Sequence, residues 1–338
     1  MTVRVVRPAA LVAAGLAFLA AACSGGDGTG PDPDQPGLTL SLSGLRALDP
    51  VTEGSYEAWL IPASGQAVSA GKFTWAGGTV ALANPGVDAR SVEVTIEPPG
   101  DPSPAPSLQR LLAGALSGGR ATLSVEGALT QGTLPLRRQP GQFTMFSPSD
   151  NAEHGYPSYE ESGIWLFNMA PRETPQNDAW VRLTQLREGW VYEGWMVRDL
   201  GTSGAIWLSY GKFLPDQTGT VSHRDDTGWG PFSGVLDFLT AGEEEYPGDD
   251  WISNPLNLPL PNGITLPLDL REKDTQGRGR WSHVITVEPA WNRGEPITSE
   301  RPFLVAPYRD PFGDGAPGTA RTITWRDDGV PRGTATLR

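Results

Sequence analysis

Three histidines, His154, His223 and His283, are the side chains best suited to titrate or to bind a metal near neutral pH. Their neighbours and separations follow no metal-binding spacing. Cys23 is the sole cysteine, which excludes an intrachain disulfide and a cysteine-based metal cluster. No Gly-x-Ser-x-Gly elbow, His-Glu-x-x-His helix or phosphate-cradling glycine loop occurs. Carboxylates are the remaining reactive groups. They cluster as Asp225-Asp226, Glu243-Glu244-Glu245, Asp249-Asp250 and Asp310 with Asp314. A hydrolase would use two of them at a defined separation across a cleft. A calcium ion would need roughly six to eight oxygens from a flexible loop, and none of these runs has the spacing of an EF-hand loop. Trp229 and Trp251 stand beside Asp225, Asp226, Asp249 and Asp250. Rings next to carboxylates can stack on sugar faces while bonding hydroxyls. The same composition also describes acidic solvated loops around a core rich in tryptophan. No enzyme is read from these residues; a glycan or Ca2+ site is the alternative to a plain binding module.

The elements that hold these residues recur. Tyr56-Glu57-Ala58-Trp59-Leu60, Ser69-Ala70-Gly71-Lys72-Phe73 and Val92 to Pro98 return, in order, as Tyr192-Glu193-Gly194-Trp195-Met196, Ser209-Tyr210-Gly211-Lys212-Phe213 and Val284 to Pro289. Leu38 to Leu45 alternates apolar and polar, the period of a half-buried strand. Further short strands are expected at 56–62, 71–75, 79–82, 91–97, 121–125 and 133–136, with a short helical piece at 108–116. Turn signals such as Gly77-Gly78 and Pro85-Gly86 separate them. The second copy is expected to begin with strands at 143–146, 163–168 and 180–186. It also carries an insertion at about 214–281, with a type I′ hairpin at Asn262-Gly263. The fold expected is all-β: two tandem Greek-key, Ig-like β-sandwich domains, 38–138 and 141–338, the second enlarged. Trp59 and Trp195 are expected to fill the two sandwich cores.

The N-terminus carries an address. Arg4 and Arg7 precede an apolar run from Ala9 to Ala22. That run is too short to span ~30 Å of hydrocarbon and has the form of a secretory signal. It ends in Leu19-Ala20-Ala21-Ala22-Cys23, which resembles the lipobox of bacterial lipoproteins. The resemblance implies cleavage after residue 22, lipidation of Cys23 (palmitate among the acyl groups), and residues 23–37 as a Pro- and Gly-rich tether. Ser24 rather than Asp after the Cys leans toward the outer membrane or cell surface. Without residues 1–22, 24 basic and 39 acidic side chains remain. So acidic a chain repels nucleic acid.

Tyr56-Glu57-Ala58-Trp59-Leu60-Ile61, Val68 to Phe73, Val94 to Gly100 and Ser103-Pro104-Ala105-Pro106 together resemble the extracytoplasmic domain of anti-sigma-K-type factors, over about residues 50–115. The resemblance implies a β fold outside the membrane, and no catalytic residues come with it. Those factors carry a sigma-binding region and a transmembrane helix before this domain, where this chain has a lipoprotein signal. The function expected is a non-enzymatic, lipid-anchored binding or sensory module of the bacterial cell envelope. Its partners would be the membrane, through the lipid, and an envelope protein or glycan.

Overall fold

In Gly37–Ser43 (β1), Leu38, Leu40 and Leu42 are buried and Thr39, Ser41 and Ser43 are exposed. The alternation read from the sequence is thus a sheet with one wet face. The structure is a computed structural model. It describes residues 37–130, 136, 140–147, 150, 157–166, 181, 183–214, 248–254, 257, 260–290, 305–312 and 315–338. The strands that follow are β2 (Ser55–Pro62), β3 (Val68–Phe73), β4 (Thr79–Ala83), β5 (Ala89–Glu97), β6 (Arg110–Ala115), β7 (Arg120–Ser124), β8 (Gly141–Met145) and β9 (Gly163–Trp165). Then come β10 (Trp190–Arg198), β11 (Ile206–Phe213), β12 (Gly248–Asp250), β13 (Trp281–Pro289), β14 (Val305–Pro311), β15 (Arg321–Ile323) and β16 (Arg332–Leu337). The protein is an all-β sandwich fold, and the strand pairs among the described residues are antiparallel.

Two strand sets have the same layout. One sheet runs β3-β2-β5-β6-β7-β16-β1-β4, and β6 and β7 share only the pair Ala113↔Ser124. The other strands form β11-β10-β13-β14 and β12-β9-β8-β15. Registers agree as well. Tyr56 faces Phe73 and Glu57 faces Lys72, with a bulge at Ala58/Trp59. Tyr192 faces Phe213 and Glu193 faces Lys212, with a bulge at Gly194/Trp195. Across the other edge, Leu60 faces Val92 and Met196 faces His283. His283 therefore stands where Val92 does, one residue away from the sequence alignment of Val92 with Val284.

Several expectations change. Residues 108–116 hold strand β6, not a helical piece. Leu111 and Leu112 are fully buried, and β5 needs a partner along that edge, so tertiary pairing overrides local preference. The Asn262-Gly263 turn closes with Ile264 N–H donating to Pro261 O (3.1 Å), and only Gly263 has positive φ (+86°). That is a type II arrangement, not type I′. No ladder flanks it among the described residues, where prolines remove ladder donors. Most of 131–139 and 167–180 lies outside the described residues, including the expected strand at 133–136.

Trp59 and Trp195 are buried but do not fill the sandwich core. Side chains alternate along a strand. Tyr56, Ala58 and Leu60 turn into the sandwich, so Glu57 and Trp59 turn to the reverse face. In the second set, Trp195 packs on that reverse face with Val197, Val284 and Trp207.

The last strand is not where the duplication would put it. β16 pairs with β1 on one side and β7 on the other, inside the first sheet. β8, which follows the first copy, pairs with β9 and β15. The first strand set is thus completed by the last strand of the second half, and Pro36–Arg338 form one compact unit.

Three core positions changed together between the sets. Ala58, Ala70 and Val92 correspond by register to Gly194, Tyr210 and His283. A Cβ on Gly194 would lie 1.6 Å from Tyr210 Cζ, so the ring occupies the room the glycine leaves. Tyr210 Oη and His283 Nε2 share a hydrogen bond of 2.9 Å. Gly194→Ala is expected to cost about 1–3 kcal/mol of overpacking, read from urea unfolding. Gly194→Ala/Tyr210→Ala/His283→Val, which installs the residues of the first set, is expected to recover most of that loss.

Candidate interaction site

The reverse face of the β2–β5 ladder carries a set of polar side chains. Trp59 Nε1–H donates to Thr95 Oγ1 at 2.8 Å. Ser69 Oγ donates to Glu57 Oε1 at 2.5 Å, and Lys72 Nζ stands 4.0 Å from Glu57 Oε2. Thr95 also donates to the Glu97 carboxylate, which takes the backbone N–H of Ser107 at 3.2 Å. The second set repeats this. Trp195 Nε1–H donates to Thr286 Oγ1 (2.9 Å), Ser209 Oγ to Glu193 Oε1 (2.8 Å), and Lys212 Nζ lies 3.9 Å from Glu193 Oε2. A buried carboxylate is tolerated only with such partners. Burial raises Glu97, and raises Glu193 to about 7 against the pull of the Lys212 ammonium and the Ser209 hydroxyl. Repetition in both sets marks this cluster as part of the fold. Its carboxylates are buried and bonded to a serine with a lysine beside them, as a structural group is.

Second-set residues close to the insertion form a charged clamp. Arg198 Nη2 meets Glu272 Oε1 at 2.5 Å, and Arg280 Nη1 meets the same oxygen at 2.8 Å. Arg280 also pairs with Asp199, and Arg198 Nη1 donates to Gly263 O at 3.0 Å. The guanidinium groups hold the Asp199 and Glu272 carboxyls below their ordinary values; in Asp199 the hydrogen bond from Arg280 is the largest cause. Planar bidentate pairing fixes geometry as well as charge. The clamp therefore ties residues 263–280 of the insertion to the end of β10.

One open cleft of about 450 Å³ lies beside this clamp, lined by Leu200, Ser282, Asp310, Trp325, Arg326 and Asp327 among others. Trp325 Nε1–H donates to Asp327 Oδ1 (2.7 Å), and Arg326 Nη2 to Asp310 Oδ1 (2.8 Å). Asp310 Oδ2 is buried and has no hydrogen-bond partner among the described residues. An indole face, an acceptor in need of a donor and a hydroxyl at Ser282 suit a small polyhydroxylated ligand or a polar side chain of a partner. The sequence signal was Trp325-Arg326-Asp327-Asp328, an aromatic beside carboxylates like those at Trp229 and Trp251, but it was not singled out.

Of the carboxylates picked out by the sequence, Asp310 lines this cleft and the others lie elsewhere. Asp225, Asp226 and Trp229 fall outside the described residues, as do Cys23, His154, His223 and Asp314. Asp249 and Asp250 belong to β12, paired with Ile164 and Gly163. Asp250 is 1% exposed and Trp251 0% exposed. Trp251 N–H donates to Ser162 O (2.9 Å) and Trp251 O accepts from Leu268 N–H (3.0 Å), so this segment staples the insertion to the sheet. In that position the Trp251 ring has no face for a sugar. Among the described residues, no group of three His, Cys, Asp or Glu is placed to hold a metal ion.

With this geometry in hand, comparison with known families gives one match. The family described as "Anti-sigma-K factor rskA, C-terminal" matches residues 5–110. The likeness is to a family of anti-sigma factors and is confined to that stretch. It covers under a third of the chain. No curated protein and no solved structure matches.

Two buried groups predict opposite pH effects on stability. Burial pushes His283 down from 6.5 to about 3. Its contribution is complete above about pH 6.5 and drains away as pH falls toward 3, because the unfolded imidazole takes the proton first. Glu193, raised from 4.5 to about 7, contributes fully below pH 4.5 and loses that contribution as pH rises through 7. Urea midpoints across this range should therefore fall less on the acid side in His283→Val. In Glu193→Gln they should fall less toward neutral pH. Profiles that match the parent would show that neither group is buried as described.

Proposed function

We propose that this chain is a lipid-anchored protein of the bacterial cell envelope that works by binding a partner protein. In this reading residues 38–138 are the anti-sigma-K-like domain and 141–338 a second, diverged copy. The insertion at about 214–281 is the recognition element. The match of residues 5–110 to a family of regulatory factors carries the proposal. The common registers, bulges and polar clusters of the two strand sets support the second copy. The lipobox-like text before Cys23 supports the anchor. The clamp of Arg198 and Arg280 supports the insertion as a presented surface rather than a loose loop.

A second reading is favoured by the Trp325 cleft: recognition of an envelope saccharide, with Trp325 as the stacking ring and Asp310 as a hydroxyl acceptor. The two readings separate experimentally. The parent chain is expected to take up fatty acid and to pellet with membranes, and Cys23→Ser to do neither. A photo-cross-linking residue at exposed Gln276 in the insertion should trap an envelope protein in intact cells, while one at exposed Thr122 on β7 should not. A cell-wall saccharide that shifts tryptophan fluorescence in the parent but not in Trp325→Ala, with no protein trapped at 276, would favour the second reading instead.

A further inference from the structure

β7, β16, β1 and β4 lie side by side, and their registers line up one set of side chains on the solvent face. Thr122, Thr334, Ser41 and Thr79 form a row across all four strands. Arg120, Thr336, Thr39 and Ala81 form the next row, and Ser124, Arg332 and Ser43 a third. The residues that alternate with them, such as Leu38, Leu40, Leu123 and Ala335, are buried. Neighbours across strands stand about 4.8 Å apart and neighbours along a strand about 6.8 Å. Threonine is stiff at χ1, so its hydroxyls hold this spacing. The hydroxyls of Thr39, Ser41, Thr79, Thr122, Thr334 and Thr336 make no hydrogen bond among the described residues.

The charge of this face is the reverse of the chain's. The chain holds 39 acidic residues. None falls in these four strands, whose charged residues are Arg120 and Arg332. Arg46, Arg90, Arg110, Arg198 and Arg280 each meet a carboxylate. The Arg120 guanidinium meets none among the described residues. A shallow hollow of about 230 Å³ lies between β7 and β16, lined by Arg120, Thr122, Thr334 and Thr336. At physiological salt the field of an exposed charge fades over ~8 Å. The hollow is therefore governed by the arginine at its side and not by the total charge of the chain.

We propose that this face binds a polysaccharide that carries carboxylate groups, with its sugars along the hydroxyl rows and a carboxylate paired with Arg120 at the hollow. Serine and threonine hydroxyls both donate and accept, as sugar hydroxyls do. A guanidinium fork matches a carboxylate in shape as well as charge. The rows hold no aromatic or long aliphatic side chain, the anchors that a protein partner would use. A face of stiff side chains loses little entropy when a ligand settles on it. This goes beyond the partner-protein role proposed above, does not rest on it, and uses other residues than the Trp325 cleft.

Calorimetric titration of the purified full chain with oligomers of galacturonate, glucuronate and mannuronate, each beside its methyl ester, tests this. At least one acid form is expected to bind saturably, and its ester about ten-fold more weakly, as loss of a charged hydrogen-bond pair requires. Arg120→Ala should weaken the acid form by a similar factor and leave the ester unchanged. Thr122→Val combined with Thr334→Val keeps the shape of the face and removes two hydroxyls; it should weaken both forms. Urea midpoints of these variants should match the parent, because the positions are exposed. Absence of binding by every acid form, equal binding of acid and ester, or full binding by Arg120→Ala would overturn the proposal. So would loss of binding in Trp325→Ala with Arg120→Ala unaffected, which would put the sugar in the other cleft.

Discussion

Every backbone N–H and C=O along the facing edges of β1 and β7 must find a partner. That unmet demand organises the molecule. It is met by β16, from the far end of the chain. Along β9 and β15 the demand is met from within the second copy, by β8. Buried backbone groups left unpaired would cost more than most side-chain contacts return. The crossing strand therefore ties the two halves together, alongside the hydrophobic core they share. The halves also meet at the starts of β6 and β10, where Gln109 Nε2–H donates to Gly189 O (2.9 Å) and Trp190 Nε1–H to Arg110 O (3.1 Å).

The repeated text has a different explanation from the one its composition first suggests. Tyr, Trp, Ser, Lys and Glu recur because the ladders β2–β5 and β10–β13 are covered on both faces. One face takes the rings of Tyr56 and Phe73, stacked with centroids 5.6 Å apart, and Tyr192 and Phe213 do the same at 5.9 Å. The other face takes a carboxylate with a serine and a lysine, and an indole bonded to a threonine. A polar network of this kind specifies register, since a slip by one residue would put Glu57 or Glu193 among the apolar core residues.

Much of this was legible in the sequence. Period-2 alternation gave β1, the repeated blocks gave β2, β3, β5 and their partners, and the glycine before each lysine marked the bulge. Parity along β2 would also have placed Trp59 opposite Tyr56, because Glu57 and Trp59 share a face that Tyr56, Ala58 and Leu60 do not. The strand at 110–115 was hidden because its reason lies in β5, the neighbour it completes, and not in its own residues. Strand exchange left no local trace at all: Gly333-Thr334-Ala335-Thr336-Leu337 reads the same whichever sheet it joins. The Trp325 cleft is assembled from β13, β14 and the β15–β16 connection. Asp310 stood out in the sequence only as one acidic residue among several, and its proximity to Trp325 and Ser282 is a property of the fold.

The hydrogen bond between Arg338 N–H and Gly37 O has a mechanical meaning. β1 and β16 run antiparallel, so the first residue of one lies beside the last of the other. Tension applied between those two points pulls across the ladder from one end. Bonds perpendicular to the strands then fail one after another, as in a zipper, rather than sharing the load as they would in shear. A pull on Gly37 against Arg338 would therefore open the first sheet at its terminal pair, at low force, while the ladder between β10 and β13 carries none of it.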